Sequence, residues 1–231
     1  MPFFDHLDEL RNRVIKSILA MIAGSCIFYT CIDQILSFII KPVGKLIFTS
    51  PADAFLARLN LTIFGGTFLA LPVILYQIWK FIACGLKEHE KKYISRLIPF
   101  SLCLFVMGGL FAYFIAIPIS MRFFLGFSSN LIVPMITINN YISYVGSLLL
   151  AFGIIFEFPL ILMFLAKIGI ATPTFLIQKR RYAIVIIFII SAILTPPDVF
   201  SQLIMAIPLI ILYEIGILAC KITYREKEVS H

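Results

Sequence analysis

Apolar residues gather in long blocks along this chain, divided by short polar segments. Six blocks read as membrane-crossing helices, over residues of about 14–40, 61–81, 97–120, 142–166, 183–194 and 200–220. A helix needs about 20 mainly apolar residues to cross about 30 Å of hydrocarbon, which most of these blocks supply. The fifth holds only 12 residues, or about 18 Å of helix. It fits either a helix screened from lipid by its neighbours or a bilayer thinned beside the last pair of helices. Membrane β-strands would alternate over segments of about 10 residues, and no such pattern is present. The expectation is an all-α integral membrane protein of six transmembrane helices in one polytopic domain, without internal repeats.

The polar segments carry the orientation. The longest in the first half is Trp79 to Arg96, WKFIACGLKEHEKKYISR, entered past a belt of Tyr76, Trp79 and Phe81. A second basic run, Lys179-Arg180-Arg181, precedes the fifth block, and Thr195-Pro196-Pro197-Asp198 turns the chain into the sixth. Asp5 is placed to cap a short helix that carries Glu9 and Arg11 into the first span. With both termini cytoplasmic, only Lys41, Lys45, Arg58 and Arg122 of the 19 Lys and Arg fall on the outer side. Lysine and arginine favour the cytoplasmic flanks of membrane helices, so this orientation is the expected one.

Composition agrees with the pattern. Hydrophobic residues make up 61% of the 231 and charged residues 13%, with a mean hydropathy of +1.04, which excludes a soluble globular domain. The formal charge of +7 follows from basic membrane flanks and does not call for nucleic acid. Cys26, Cys31, Cys84, Cys103 and Cys220 show no CxxC spacing and read as small apolar residues, not as a metal site. The acidic start, MPFFDHLDELR, is unlike a cleavable signal peptide.

Catalytic patterns are missing. The chain has no GxxxxGK[ST] phosphate loop and no HExxH zinc site. Gly126-Phe127-Ser128 resembles a serine nucleophile turn only faintly, and no histidine lies in a span to activate it. An intramembrane hydrolase is disfavoured, and the chain reads as a non-enzyme without cofactor. Glu157 falls near the middle of the fourth span, where a carboxylate costs about 2.5–3.5 kcal/mol on insertion scales. It reads as a polar cavity, a proton step or a partner contact, or as a protonated acid bonded to a neighbouring helix. A proton-coupled small-solute transporter using Glu157 is the rival function, though repeated halves would be expected of it. Glu214 poses the same question nearer the inner end of span six. Among the border carboxylates, Glu88 has Lys92 and Glu9 has Arg13 at i+4, an arrangement that favours simple ion pairs. Glu90 has Ile94 at i+4 and is freer to receive an external guanidinium, whose planar fork suits a carboxylate.

At these residues the sequence resembles the TatC family, the multispanning receptor subunit of the twin-arginine protein translocase. The matching pieces are His6-Leu7-Asp8-Glu9-Leu10-Arg11, Pro72–Leu86, His89-Glu90-Lys91-Lys92, Phe111-Ala112-Tyr113-Phe114, Ala151-Phe152-Gly153 through Phe156-Glu157-Phe158-Pro159, Thr195–Gln202, Ala206-Ile207-Pro208 and Tyr213-Glu214-Ile215-Gly216, in unbroken order. The resemblance implies a concave, glove-like bundle with short last helices, which favours local thinning. It implies a bacterial inner-membrane receptor for folded precursors bearing twin-arginine signal peptides, driven by the proton-motive force. TatA- and TatB-type single-span proteins, and further copies of the chain, are the implied partners. Carried over by motif position, Glu9, Glu90, Arg11 and Phe81 form the signal-peptide site. Glu157 becomes a buried polar residue facing the cavity, Gln202 and Glu214 intramembrane polar or partner positions, and Pro42 and Asp198 parts of outer-loop structure. The family usually has proline where Cys84 stands, so a fixed φ before Gly85-Leu86 is lost here.

Overall fold

The computed structural model describes residues 3–41, 43, 46–86, 88–128, 134–194 and 198–229, and their side chains except at 3–5, 88–93, 95–96 and 225–229. Among the described residues the regular structure is helical, apart from a single parallel bridge between Ile47 and Thr137. The helices are α1 (Phe3–Tyr29), α2 (Ile32–Ile40), α3 (Pro51–Cys84), α4 (Glu88–Phe111), α5 (Ile117–Leu125), α6 (Ile138–Phe156), α7 (Phe158–Lys167), α8 (Pro173–Gln178), α9 (Arg180–Leu194) and α10 (Val199–Val229). A π-helical turn, Ala112–Ala116, joins α4 to α5.

Among the described residues, five stretches are long and apolar enough to cross a membrane: His6–Tyr29, Pro51–Cys84, Leu97–Leu125, Ile138–Lys167 and Val199–Tyr224. The short α9 covers the fifth apolar block; it begins at Arg180, ahead of the expected start, and its 15 residues still span only about 22 Å. The helix after it does not stop at the end of its apolar part near Cys220 but continues to Val229.

The block read as one span over 14–40 divides at Thr30–Cys31. There the amides of Thr30 and Cys31 bond back three residues, to Ile27 and Phe28, and the Thr30 hydroxyl donates to the Ile27 carbonyl at 2.7 Å. Tightening to the i−3 pattern ends the α-helical ladder. The remainder becomes α2, which buries Ile32 and Ile39.

The chain forms two compact units, Met1–Cys103 with Leu125–Gly146, and Leu104–Phe124 with Ser147–His231. In the first, α1 packs along α3, and the crossing depends on glycine. A Cβ on Gly24 would sit 2.5 Å from the Gly66 carbonyl oxygen, and one on Gly65 would enter the Phe28 ring. At one end of this unit, Arg58 donates to Asp33 at 2.8 Å, Asn60 to Asn139 at 3.0 Å, and the Tyr141 hydroxyl to the Ile39 carbonyl at 2.9 Å. Ser50 and Asp53 form a capping box that starts α3.

In the second unit α10 packs on α7 and α9. Gly216 gives room to Leu162, whose Cδ1 would lie 2.6 Å from an added Cβ, and Gly108 faces the Phe152 backbone. Asp198 caps α10: its Oδ1 accepts the Ser201 amide at 2.7 Å, satisfying a donor that the first turn leaves open.

Two expectations follow. Gly24→Ala lowers thermal stability in detergent by about 1–3 kcal/mol, because backbone on the far side cannot yield; Gly85→Ala, whose Cβ would meet only the Ile82 carbonyl at 3.7 Å, changes it by less than about 0.5 kcal/mol. Equal melting of the two variants would remove the steric account of the crossing. Asp198→Ala costs about 1 kcal/mol while Asp198→Asn is nearly neutral, measured in the same assay.

Candidate functional site

The α1–α3 contact brings chemistry together at the start of α1 and the end of α3. On α1, His6, Glu9 and Arg13 share one face, at spacings of three and four; on α3, Gln77, Phe81 and Cys84 do the same. The His6 ring stacks on Phe81, with centroids 4.5 Å apart and planes inclined by 23°. Arg13 donates Nε to Glu9 Oε1 at 2.7 Å, and its Nη2 reaches the same oxygen. Its Nη1 donates to Gln77 Oε1, also at 2.7 Å. The Cys84 thiol points to Glu9 Oε1 at 3.6 Å and to the Lys80 carbonyl at 3.3 Å. A guanidinium is thus held between a carboxylate and a buried amide, with an aromatic pair beside it.

Arg11 stands apart from this cluster. It is exposed, and a step of two residues from Glu9 turns it to the other side of α1. Glu90 lies in the first turn of α4, and its side chain is outside the described ones. Pro42 and the turn residues 195–197 are likewise outside the described residues. Cys84 is the last residue of α3, and helix termination is left to the Gly85 and Leu86 amides, which bond Ile82 and Ala83. A proline here would have no N–H to continue the ladder.

The remaining residues fall in the second unit. Glu157 is buried at 7% exposure, at the junction of α6 and α7. Its amide bonds three residues back, to Ile154, and Pro159 stands in the first turn of α7, so the junction combines a tightened turn with a missing donor. Glu214 accepts from Arg180 Nη2 at 2.6 Å across α9 and α10, with both side chains 45% exposed. Gln202 donates to the Phe188 carbonyl at 3.1 Å and so ties α10 to α9. Tyr213 donates to the Leu176 carbonyl at 2.8 Å. Among the described residues no group of histidine, cysteine and carboxylate side chains could hold a metal ion.

Spacing on α1 forecasts the Glu9–Arg13 pair. It does not forecast Gln77 and Cys84, which reach the pair from α3, or Arg180, whose basic run reads as a solvated flank. Gln77 carries the one usable signal, a polar residue inside an apolar block.

The family model described as "Sec-independent protein translocase protein (TatC)" matches residues 5–208. The Sec-independent protein translocase protein TatC of Carboxydothermus hydrogenoformans is 44% identical over all of this chain and 96% of its own length. That of Aquifex aeolicus is 42% identical over 99% of this chain and 98% of its own. A solved structure described as the twin arginine translocase receptor TatC superposes with a TM-score of 0.86 at 42% identity, covering 94% of this chain and 99% of that one. With its helical fold and its match running through nearly every element described above, the chain belongs to the TatC family, as a multi-pass membrane subunit of the Sec-independent protein translocase.

Proposed function

We propose that this subunit receives the arginine pair of a twin-arginine signal peptide on the face that carries Glu9 and Phe81, with Glu90 as the second carboxylate. The observation that carries this reading is the Glu9 carboxylate, held at 29% side-chain exposure on the α1–α3 face and already binding a guanidinium through two nitrogens. Both Arg13 bonds and the Cys84 contact land on Oε1, and a carboxylate offers about four lone-pair directions over its two oxygens. Arg13 and Gln77 fix the carboxylate, and an incoming arginine engages its second oxygen or displaces Arg13. The Phe81–His6 stack gives the planar guanidinium a flat surface to lie against. Glu90, near the amino end of α4, supplies a second acceptor, so that two arginines meet two acids. Arg11, on the far side of α1, acts outside the immediate pair.

The relative described as a twin arginine translocase receptor supports the same reading. We place both termini in the cytoplasm of a bacterium and the helices in its inner membrane, because that orientation keeps most basic residues inside. The subunit is a receptor without catalytic chemistry. It works with TatA- and TatB-type single-span partners and with other copies of itself, and Glu157 serves transport as a polar point within the bilayer.

Binding of a twin-arginine signal peptide to the detergent-purified chain should weaken about tenfold or more in Glu9→Gln and in Glu90→Gln, as in a peptide with lysines in place of both arginines. Unchanged melting of the variants separates lost contact from lost fold. Equal binding of the lysine peptide, or full binding by both variants, would remove the docking site. Glu157→Leu should keep peptide affinity and lower export of a twin-arginine precursor into membrane vesicles; loss of peptide binding instead would move Glu157 into the recognition step.

A further inference from the structure

The contacts around Glu9 are lopsided. Among the described residues, each donor that meets this carboxylate meets it at Oε1: Arg13 Nε at 2.7 Å, Arg13 Nη2, and the Cys84 thiol at 3.6 Å. One carboxylate oxygen has about two lone-pair directions, so Oε1 is full while Oε2 is left to a visitor. A fork-on-fork pair between arginine and carboxylate uses both oxygens. With Arg13 in place, an incoming arginine therefore reaches Glu9 at one point only. At a single point a guanidinium has little advantage over the compact charge of a lysine.

Both side chains on Oε1 have a second acceptor within reach. Arg13 already gives Nη1 to Gln77 Oε1 at 2.7 Å, and Gln77 is a buried amide on α3. The Cys84 thiol lies closer to the Lys80 carbonyl, at 3.3 Å, than to Glu9, and its single proton serves one acceptor at a time. Arg13 can turn about its bond to Gln77, and the thiol can return its proton to Lys80. Oε1 is then cleared while both side chains keep a partner, which avoids part of the cost of stranding buried donors.

We infer that Arg13 and Gln77 set the specificity of docking at Glu9: Arg13 closes Oε1, and Gln77 is the seat that holds Arg13 when a visiting arginine takes both oxygens. This rests on the docking reading above and adds which atoms decide between arginine and lysine. A lysine gains nothing by opening Oε1 and meets the closed form. An arginine gains a second bond, which offsets the cost of moving Arg13. Gln77 acts through Arg13 and is a positioning residue.

The test is the affinity of a twin-arginine signal peptide against that of its twin-lysine counterpart, each titrated by calorimetry into the detergent-purified chain. Arg13→Gln leaves Oε1 open and should raise the arginine-to-lysine ratio about fivefold, the worth of one hydrogen bond. Gln77→Leu removes the seat, keeps Arg13 on Glu9 and should lower the ratio by a similar factor. Gln77→Glu, a stronger seat, should restore the ratio or exceed it. Melting of each variant reports whether the fold persists; if Arg13→Gln does not fold, the opposite movements in Gln77→Leu and Gln77→Glu decide. Plain support of Glu9 by Arg13 predicts weaker binding of both peptides in Arg13→Gln, and simple loss of repulsion predicts equal gains for both. Either result overturns the gate, and the docking site survives it if Glu9→Gln still weakens the arginine peptide. Full binding by Glu9→Gln removes docking and gate together.

Discussion

Helices in hydrocarbon gain little from turning apolar faces toward each other, because lipid is as apolar as leucine; they associate where backbones can come close. The α1–α3 crossing is such a place. Gly24 and Gly66 let one backbone lie against the other, and Gly65 gives room to Phe28. Everything in the α1–α3 cluster depends on that distance. With the helices held this near, His6 reaches Phe81, Arg13 reaches Gln77, and Cys84 reaches Glu9. The second unit uses the same device, with Gly108 against Phe152 and Gly216 against Leu162.

Three carboxylates in this chain are placed in three ways. Glu9 shares a helix with its cation and receives support from a second helix. Glu214 takes its cation from a neighbouring helix, at the edge of the apolar region. Glu157 is buried where α6 passes into α7. Only the first combines partial exposure with a geometry suited to a further guanidinium, which is why the recognition reading rests there. Of the other two, Glu214 ties α10 to α9 through Arg180, and Glu157 sits at the junction of α6 and α7.

Much of the fold was legible because membrane spans announce themselves by length and composition. The helix break at Thr30–Cys31 was not, since the residues on both sides are apolar and the deciding step is a local tightening of hydrogen bonds. The early start of α9 at Arg180 was hidden because a basic run reads as a flank whether or not it is helical. In the site, Glu9–Arg13 could be read from an i+4 spacing. Gln77 and Cys84 could not, because they lie 64 and 75 residues away from their partners, and only the glycine crossing sets those two faces in register. The match of short motifs in order carried the family, and the structural likeness agrees with it over nearly the whole chain.

Given the docking proposed at Glu9, the guanidinium of Arg13 takes on a kinetic meaning. A receptor that must pass its cargo onward cannot hold it for long, and differences in affinity among related complexes lie mostly in the rate of release. An arginine built into the same chain, fastened to Gln77 and resting on Glu9, is always present to retake the carboxylate when a visiting arginine lets go. On the docking proposed above, recognition and dismissal would use one carboxylate, and the dwell time of a precursor would follow from the competition between two arginines for Glu9.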